Sequence, residues 1–138
     1  MIKTSGYSGT PLAKKLGIKP GYVVRLIGQP DYYFDLFTDM PEEVRFESRK
    51  KGTKNLVHYF TRELSSLQDD IIELRTEIFP SGSLWISWPK KAAKIATNVT
   101  EDLIRAIALN NGLVDVKVCA IDETWSGLKL VVPVKDRK

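Results

Sequence analysis

The sequence predicts a three-layer α/β fold, with helices on both faces of a mixed sheet of about six strands whose last strand is antiparallel. Strand-like blocks alternate with helix-like ones along most of the 138 residues, which implies right-handed crossovers and a mainly parallel sheet. The last two strand blocks have only a tight turn between them, so they run antiparallel. The length suits one domain, 1–138, large enough to bury about two thirds of its unfolded surface without disulfides or metal. The strand order expected is 2-1-3-4-6-5.

Thr10-Pro11 reads as an N-cap and first helical position, Leu12, Ala13 and Leu16 supply an apolar face, and Gly17 closes a short helix in the left-handed conformation. Pro20-Gly21 turns the chain into "YVVRLIG", 22 to 28, a β-branched and apolar run with one charge, as in a strand covered on both faces. "PDYYFDLF", 30 to 37, opens with Pro and Asp and suits a short helix. Val44 and Phe46 alternate with Arg45 and Glu47 in a short strand near a sheet edge, and "SRKKGTKN", 48 to 55, is a basic, turn-rich loop expected to be the most mobile segment. "LVHYF", 56 to 60, is the next strand.

Thr61 reads as the cap of a helix with apolar residues at 64, 67, 71, 74 and 78, the strongest periodic signal in the chain. Pro80-Ser81-Gly82 stops it, and "SLWISW", 83 to 88, is a strand ended by Pro89. Thr100, Glu101 and Asp102 open a further helix that turns Leu103, Ile104, Ile107 and Ala108 inward and ends at Gly112. "LVDVKVCAI" and "LKLVVPV" are the last two strands, joined by "DETWSG" with Ser126-Gly127 reversing the chain. Asp122, Glu123, Thr124 and Trp125 exceed what such a turn requires.

The net charge of +4 is mildly basic and falls short of the dense Lys/Arg stripe of dedicated nucleic-acid binders. The single cysteine, Cys119, sits in an apolar alternation as a small buried hydrophobe, and with no intrachain disulfide a reducing cytoplasm is expected. No apolar run has signal-peptide or membrane-span length. One His and one Cys exclude most His/Cys metal sites, and no HExxH, CxxC, Walker lysine loop or GxSxG is present. His58 reads as a hydrogen-bonded strand residue. Asp122 and Glu123 diverge in an extended segment, so they do not form an acid–base dyad. No catalytic residue is assigned.

Ligands of open α/β sheets sit outside the C-terminal ends of the strands. That edge should gather Trp88, Lys90, Lys91, Asp122, Glu123, Thr124, Trp125 and Ser126, with Tyr7, Ser8 and Thr10 folding over it from the N-terminus. Trp85 and Trp88 lie three apart in a strand and so point to opposite faces. Thr124 and Ser126 would orient a ligand, Trp125 would wall it, and Lys90 and Lys91 would neutralise its charge.

The order of elements resembles a class I S-adenosylmethionine-dependent methyltransferase: a preliminary helix, a first strand ending in Gly28, "FPSGSLWISW" where such enzymes carry a Pro-Gly-Gly turn and strand, and a closing antiparallel hairpin. The resemblance implies a Rossmann-like, methyltransferase-like sheet one strand–helix unit smaller, and Glu47 would match the acid that binds the cofactor ribose. Gln29-Pro30-Asp31 stands where the glycine-rich loop would follow, and Leu26 where an acid is usual. Three blocks, "GYSGTPLAKKLGIKPG" (6 to 21), "LWISWPKKAAKIATNVTED" (84 to 102) and "GLVDVKVCAIDETWSGLKLV" (112 to 131), are similar to those of a bacterial domain family of unknown function, which suggests one shared surface.

The expected function is therefore a non-catalytic, methyltransferase-like domain that binds a small polar or anionic ligand, or a protein partner, at this edge, with no resident cofactor and no membrane. One alternative is a diverged methyltransferase holding S-adenosylmethionine through Glu47. Another is weak nucleic-acid binding through Lys50, Lys51, Lys54 and the lysines at 90 to 94. A homodimer through an edge strand is compatible with the pattern.

Overall fold

Residues 9–137 are described by a computed structural model, and Tyr7 and Ser8 lie outside them. In chain order the elements are α1 (Leu12–Leu16), β1 (Val23–Ile27), β2 (Arg45–Glu47), β3 (Lys54–Phe60), α2 (Leu64–Glu77), β4 (Ile78–Pro89), α3 (Glu101–Asn110), β5 (Val114–Ala120) and β6 (Trp125–Val131). Short 3-10 turns cover Tyr33–Leu36, Lys91–Ala93 and Val134–Asp136. The six strands form one sheet in the order β2-β1-β3-β4-β6-β5, as expected. β1, β2, β3 and β4 pair in parallel, and β6 is antiparallel to both β4 and β5.

Alternating side chains of the strands feed two cores. On one face Leu67, Ile71 and Leu74 of α2 and Ile104 and Ala108 of α3 pack against Val57, Tyr59, Leu84, Ile86, Trp88, Leu128 and Leu130. On the other, Leu12, Ala13 and Leu16 of α1 cover Val24, Leu56, Trp85 and Ile121. Trp85 and Trp88 thus divide between the faces, and Trp85 is anchored by its indole N–H donating to the Leu16 carbonyl at 3.0 Å. A five-residue helix covers little area, so Leu36, Phe37 and Met40 from the segment after β1 also pack on the second face.

Several local readings are corrected. Thr10 is not the cap of α1: Pro11 is the N-cap residue without a side-chain bond, and the Asp39 carboxylate accepts from the Ala13 and Lys14 amides at 3.1 Å each. Thr61 turns the chain ahead of α2 by bonding Glu63, and Asn98 Oδ1 accepts from the Leu64 amide at 2.8 Å in its place. α2 ends at Glu77, and Ile78 begins β4 because it pairs with Lys54 before the ladder shifts register at Leu56↔Ser83. Thr100 does cap α3, accepting from the Leu103 amide at 3.2 Å, and Gly17 closes α1 with φ 80°.

Lys54 belongs to β3 and is 1% exposed, so it cannot serve the nucleic-acid surface considered for it. Its ammonium donates to Glu77 at 2.9 Å and to the carbonyls of Lys50, Lys51 and Gly52, while Glu77 also accepts from Arg25 at 2.7 Å. Those bonds offset the desolvation of the charges and tie the basic loop to α2 and β1. Cys119 is half-buried against the second core, and burial pushes its thiol up.

Candidate functional site

β1, β3, β4 and β5 all end at one edge, and the "DETWSG" stretch folds there. The reversal lies at residues 121–124, ahead of the expected Ser126-Gly127. Asp122 Oδ1 accepts from the Thr124 and Trp125 amides at 2.8 and 2.7 Å, and the Ile121 amide donates to the Trp125 carbonyl at 2.8 Å. Ser126 and Gly127 are not the turn but strand residues, facing Trp88 and Ser87 across the ladder. Gly127 is needed for closeness: a Cβ there would stand 2.9 Å from Ile121 Cδ1 and 3.1 Å from Trp85.

The edge brings part of the expected set together. Trp125 pairs with Pro89, and the Lys90 amide donates to the Thr124 carbonyl at 2.8 Å, so the ends of β4 and the turn are joined. Asp122 is buried, Thr124, Trp125, Ser126 and Lys90 are half-buried, and Glu123, Lys91 and Thr10 are exposed. Trp88 turns into the α2/α3 core and is 9% exposed.

The crevice between the ends of β1 and β3, where the strand order reverses, is where an open α/β sheet takes its ligand. Here it holds the protein's own rings. Tyr33 is fully buried, its hydroxyl 3.0 Å from His58 Nδ1, and His58 Nε2 lies 2.8 Å from Ser87 Oγ. Phe60 stacks on His58 with ring centres 4.2 Å apart, and the Trp125 ring meets Phe60 edge-on at 5.0 Å. Tyr33 also meets Phe34, Phe37 and Phe60. Burial pushes His58 down to about 3, so the imidazole is neutral, and it raises the Tyr33 phenol.

Asp122, Thr124 and Trp125 lie close to the Tyr32 hydroxyl, and the phenol is pushed up to about 12 by burial first and then by the Asp122 carboxylate. The residues that looked excessive for a turn thus lie against the segment after β1. Gly28 completes the closure: φ is 70°, and a Cβ would stand 2.6 Å from the Phe60 carbonyl oxygen. The side chains present do not fit an adenosyl cofactor in this crevice. Glu47 does end β2, with a one-third exposed side chain 3.7 Å from Arg49.

The open space at this edge lies beside the crevice, on the α2/α3 side. A cleft of about 660 Å³ is lined by Trp88, Lys91, Ile95, Thr97, Thr100 and Asp102 among others. Sequence reasoning missed Ile95, Thr97 and Thr100 as lining residues, and missed Tyr32, Tyr33, His58 and Phe60 as crevice fillers. The available signal was the "YYF" run immediately after the strand that ends in Gly28. No group of three His, Cys, Asp or Glu among the described residues is placed to hold a metal ion, and none of their helices is long and apolar enough to cross a membrane.

The fold is that of Rossmann-like, S-adenosylmethionine-dependent methyltransferases. A putative type 11 methyltransferase from Sulfolobus solfataricus superposes with TM-score 0.62 at 14% identity, over 92% of this chain and 92% of that one. A SAM-dependent methyltransferase from Aquifex aeolicus gives 0.60 at 14% identity, over 87% of each chain. Magnesium protoporphyrin IX methyltransferase from Synechocystis with bound SAH gives 0.54 at 13% identity, over 87% and 78%. No curated protein matches the sequence. The family model described as "Protein of unknown function (DUF3052)" matches residues 13–134.

Proposed function

Since the chain belongs to the DUF3052 family, described only as proteins of unknown function, we propose from its geometry that it is a methyltransferase-like binding domain that does not transfer methyl groups. The observation that supports this reading is the aromatic closure of the β1/β3 crevice by Tyr33, His58 and Phe60, all at most 5% exposed. Opening it would expose a buried, hydrogen-bonded imidazole and the rings around it. Ligand binding then falls to the neighbouring cleft, where Trp88 walls a small polar or anionic ligand, Thr97 and Thr100 orient it, and Lys91 carries positive charge opposite the Glu101 and Asp102 carboxylates. Asp122, Thr124 and Trp125 serve as the clamp on the crevice, and Glu123 and Ser126 frame the edge toward a protein partner.

Calorimetric titration with S-adenosylmethionine and S-adenosylhomocysteine tests the first half, with no binding expected at millimolar cofactor. Micromolar binding that Glu47→Gln abolishes would overturn it and favour a diverged methyltransferase, the reading supported by the acid at the end of β2. A small-fragment screen followed by amide and indole resonances tests the second half. Shifts should concentrate on Trp88, Lys91, Thr97 and Thr100, and hits confined to other surfaces would refute the cleft.

A further inference from the structure

The opposite edge of the sheet, at the N-terminal ends of β3 and β4, carries a second hollow of about 370 Å³. Lys19, Lys129 and Arg137 line it together with Tyr22, Ser81 and Ser83, and no Asp or Glu does among the described residues. Several cations elsewhere in the molecule are ion-paired, Arg25 and Lys54 with Glu77, Lys50 with Glu73, and Arg105 with Glu101, Asp102 and Asp115. Among the described residues, Lys19, Lys117, Lys129 and Arg137 form no ion pair. Lys117 and Lys129 are moreover direct cross-strand partners on β5 and β6. Like charges in that position destabilise a sheet.

Lys129 is half-buried, and its ammonium is pushed down by burial first and then by Lys117 and Lys19. Three positive groups therefore crowd a partly desolvated hollow with no counter-charge among the described residues, an arrangement that favours an incoming anion. The Arg137 guanidinium is fixed through Nε to the Val132 carbonyl at 2.9 Å. Ser83 lies at the hollow's floor, 7% exposed, and Ser81 at its rim. Ammonium, guanidinium and hydroxyl donors converging on one hollow match the several acceptor oxygens of a phosphoryl group. A hollow of this volume suits a small molecule rather than a polymer groove.

We propose that this hollow is an anion site for a compact phosphate-bearing ligand, its charge met by Lys19, Lys129 and Arg137 and its oxygens by the Ser81 and Ser83 hydroxyls. The site is independent of the cleft at the opposite edge. Calorimetric titration with inorganic pyrophosphate at low salt tests it, with a short single-stranded oligonucleotide as the polymeric source of the same chemistry. Pyrophosphate should bind the native chain, and Lys129→Gln and Lys19→Gln should each weaken it about tenfold. Lys50→Gln combined with Lys51→Gln should leave it unchanged, and pyrophosphate should displace the oligonucleotide. Lys129→Gln relieves the repulsion with Lys117, so its thermal midpoint should not fall, and exposed Lys19 gives a variant whose folding is not at stake. Absence of pyrophosphate binding, equal loss in the Lys50/Lys51 control, or an oligonucleotide that pyrophosphate does not displace would each overturn the proposal.

Discussion

Lowering the pH from 7 to 5 should destabilise the protein by about 2 kcal/mol through one residue, His58. The sequence holds a single histidine, so the effect has one source in this window. His58 is fully buried and bonded to Tyr33 and Ser87, and its imidazole is pushed from 6.5 to about 3. With the folded value below the unfolded one, the unfolded chain binds more protons between those pH values. The stability from keeping the ring neutral is therefore complete above pH 6.5 and declines as pH falls toward 3. The loss works out at about 2 kcal/mol by pH 5 and about 3 by pH 4, or roughly 3–5 °C in Tm for each kcal/mol in a chain of this size. Glu73 and Asp115, held low by Lys50 and Arg105, act in the same direction only at lower pH. Urea unfolding at pH 7, 6 and 5 measures the slope, and His58→Gln should flatten it. Equal unfolding free energies at pH 7 and 5, or a native imidazole resonance titrating near 6.5, would refute the burial argument.

Two substitutions probe the closure of the crevice from its two sides. Gly28→Ala places a Cβ against the Phe60 carbonyl at 2.6 Å in a positive-φ conformation, and should cost about 2–4 kcal/mol in urea unfolding; a neutral result would mean that β1 and β3 separate at this end. Trp125→Ala removes the edge-on contact with Phe60 and a half-buried ring, for an expected loss of about 2–3 kcal/mol in thermal or denaturant unfolding. The Tyr32 ring resonances should shift in the same variant, since the indole beside its hydroxyl is gone.

The sheet order was legible because strand and helix alternation constrains crossovers, and the tight link between β5 and β6 leaves one direction for each. Helix ends were less so wherever the partner came from afar. Asp39 and Asn98 lie 26 and 34 residues from the amides they satisfy, and no local spacing announces such bonds. Thr100, three residues from its partner, was readable. The turn was misplaced because Gly127 looked like a reversal residue, whereas its missing Cβ accommodates Ile121 and Trp85 from other strands. At the candidate edge the neighbours in sequence were found, and the aromatic filling was not, since Tyr33, His58 and Trp125 meet only through the fold. The lysine pair was present in the pattern: "VKV" and "LKL" fall in paired strands, but which faces which depends on the register shift between Asp115 and Lys117.

The carboxylate of Asp39 has a further consequence for motion. A five-residue helix cannot hold itself in water, and α1 borrows its first two hydrogen-bond acceptors from a segment that follows β1. Helix and segment should therefore open as one cooperative unit at a free energy well below global unfolding. The Ala13 and Lys14 amides would then exchange with solvent at the rate of residues 30–40, so two backbone sites would report on the opening of the lid over the sheet.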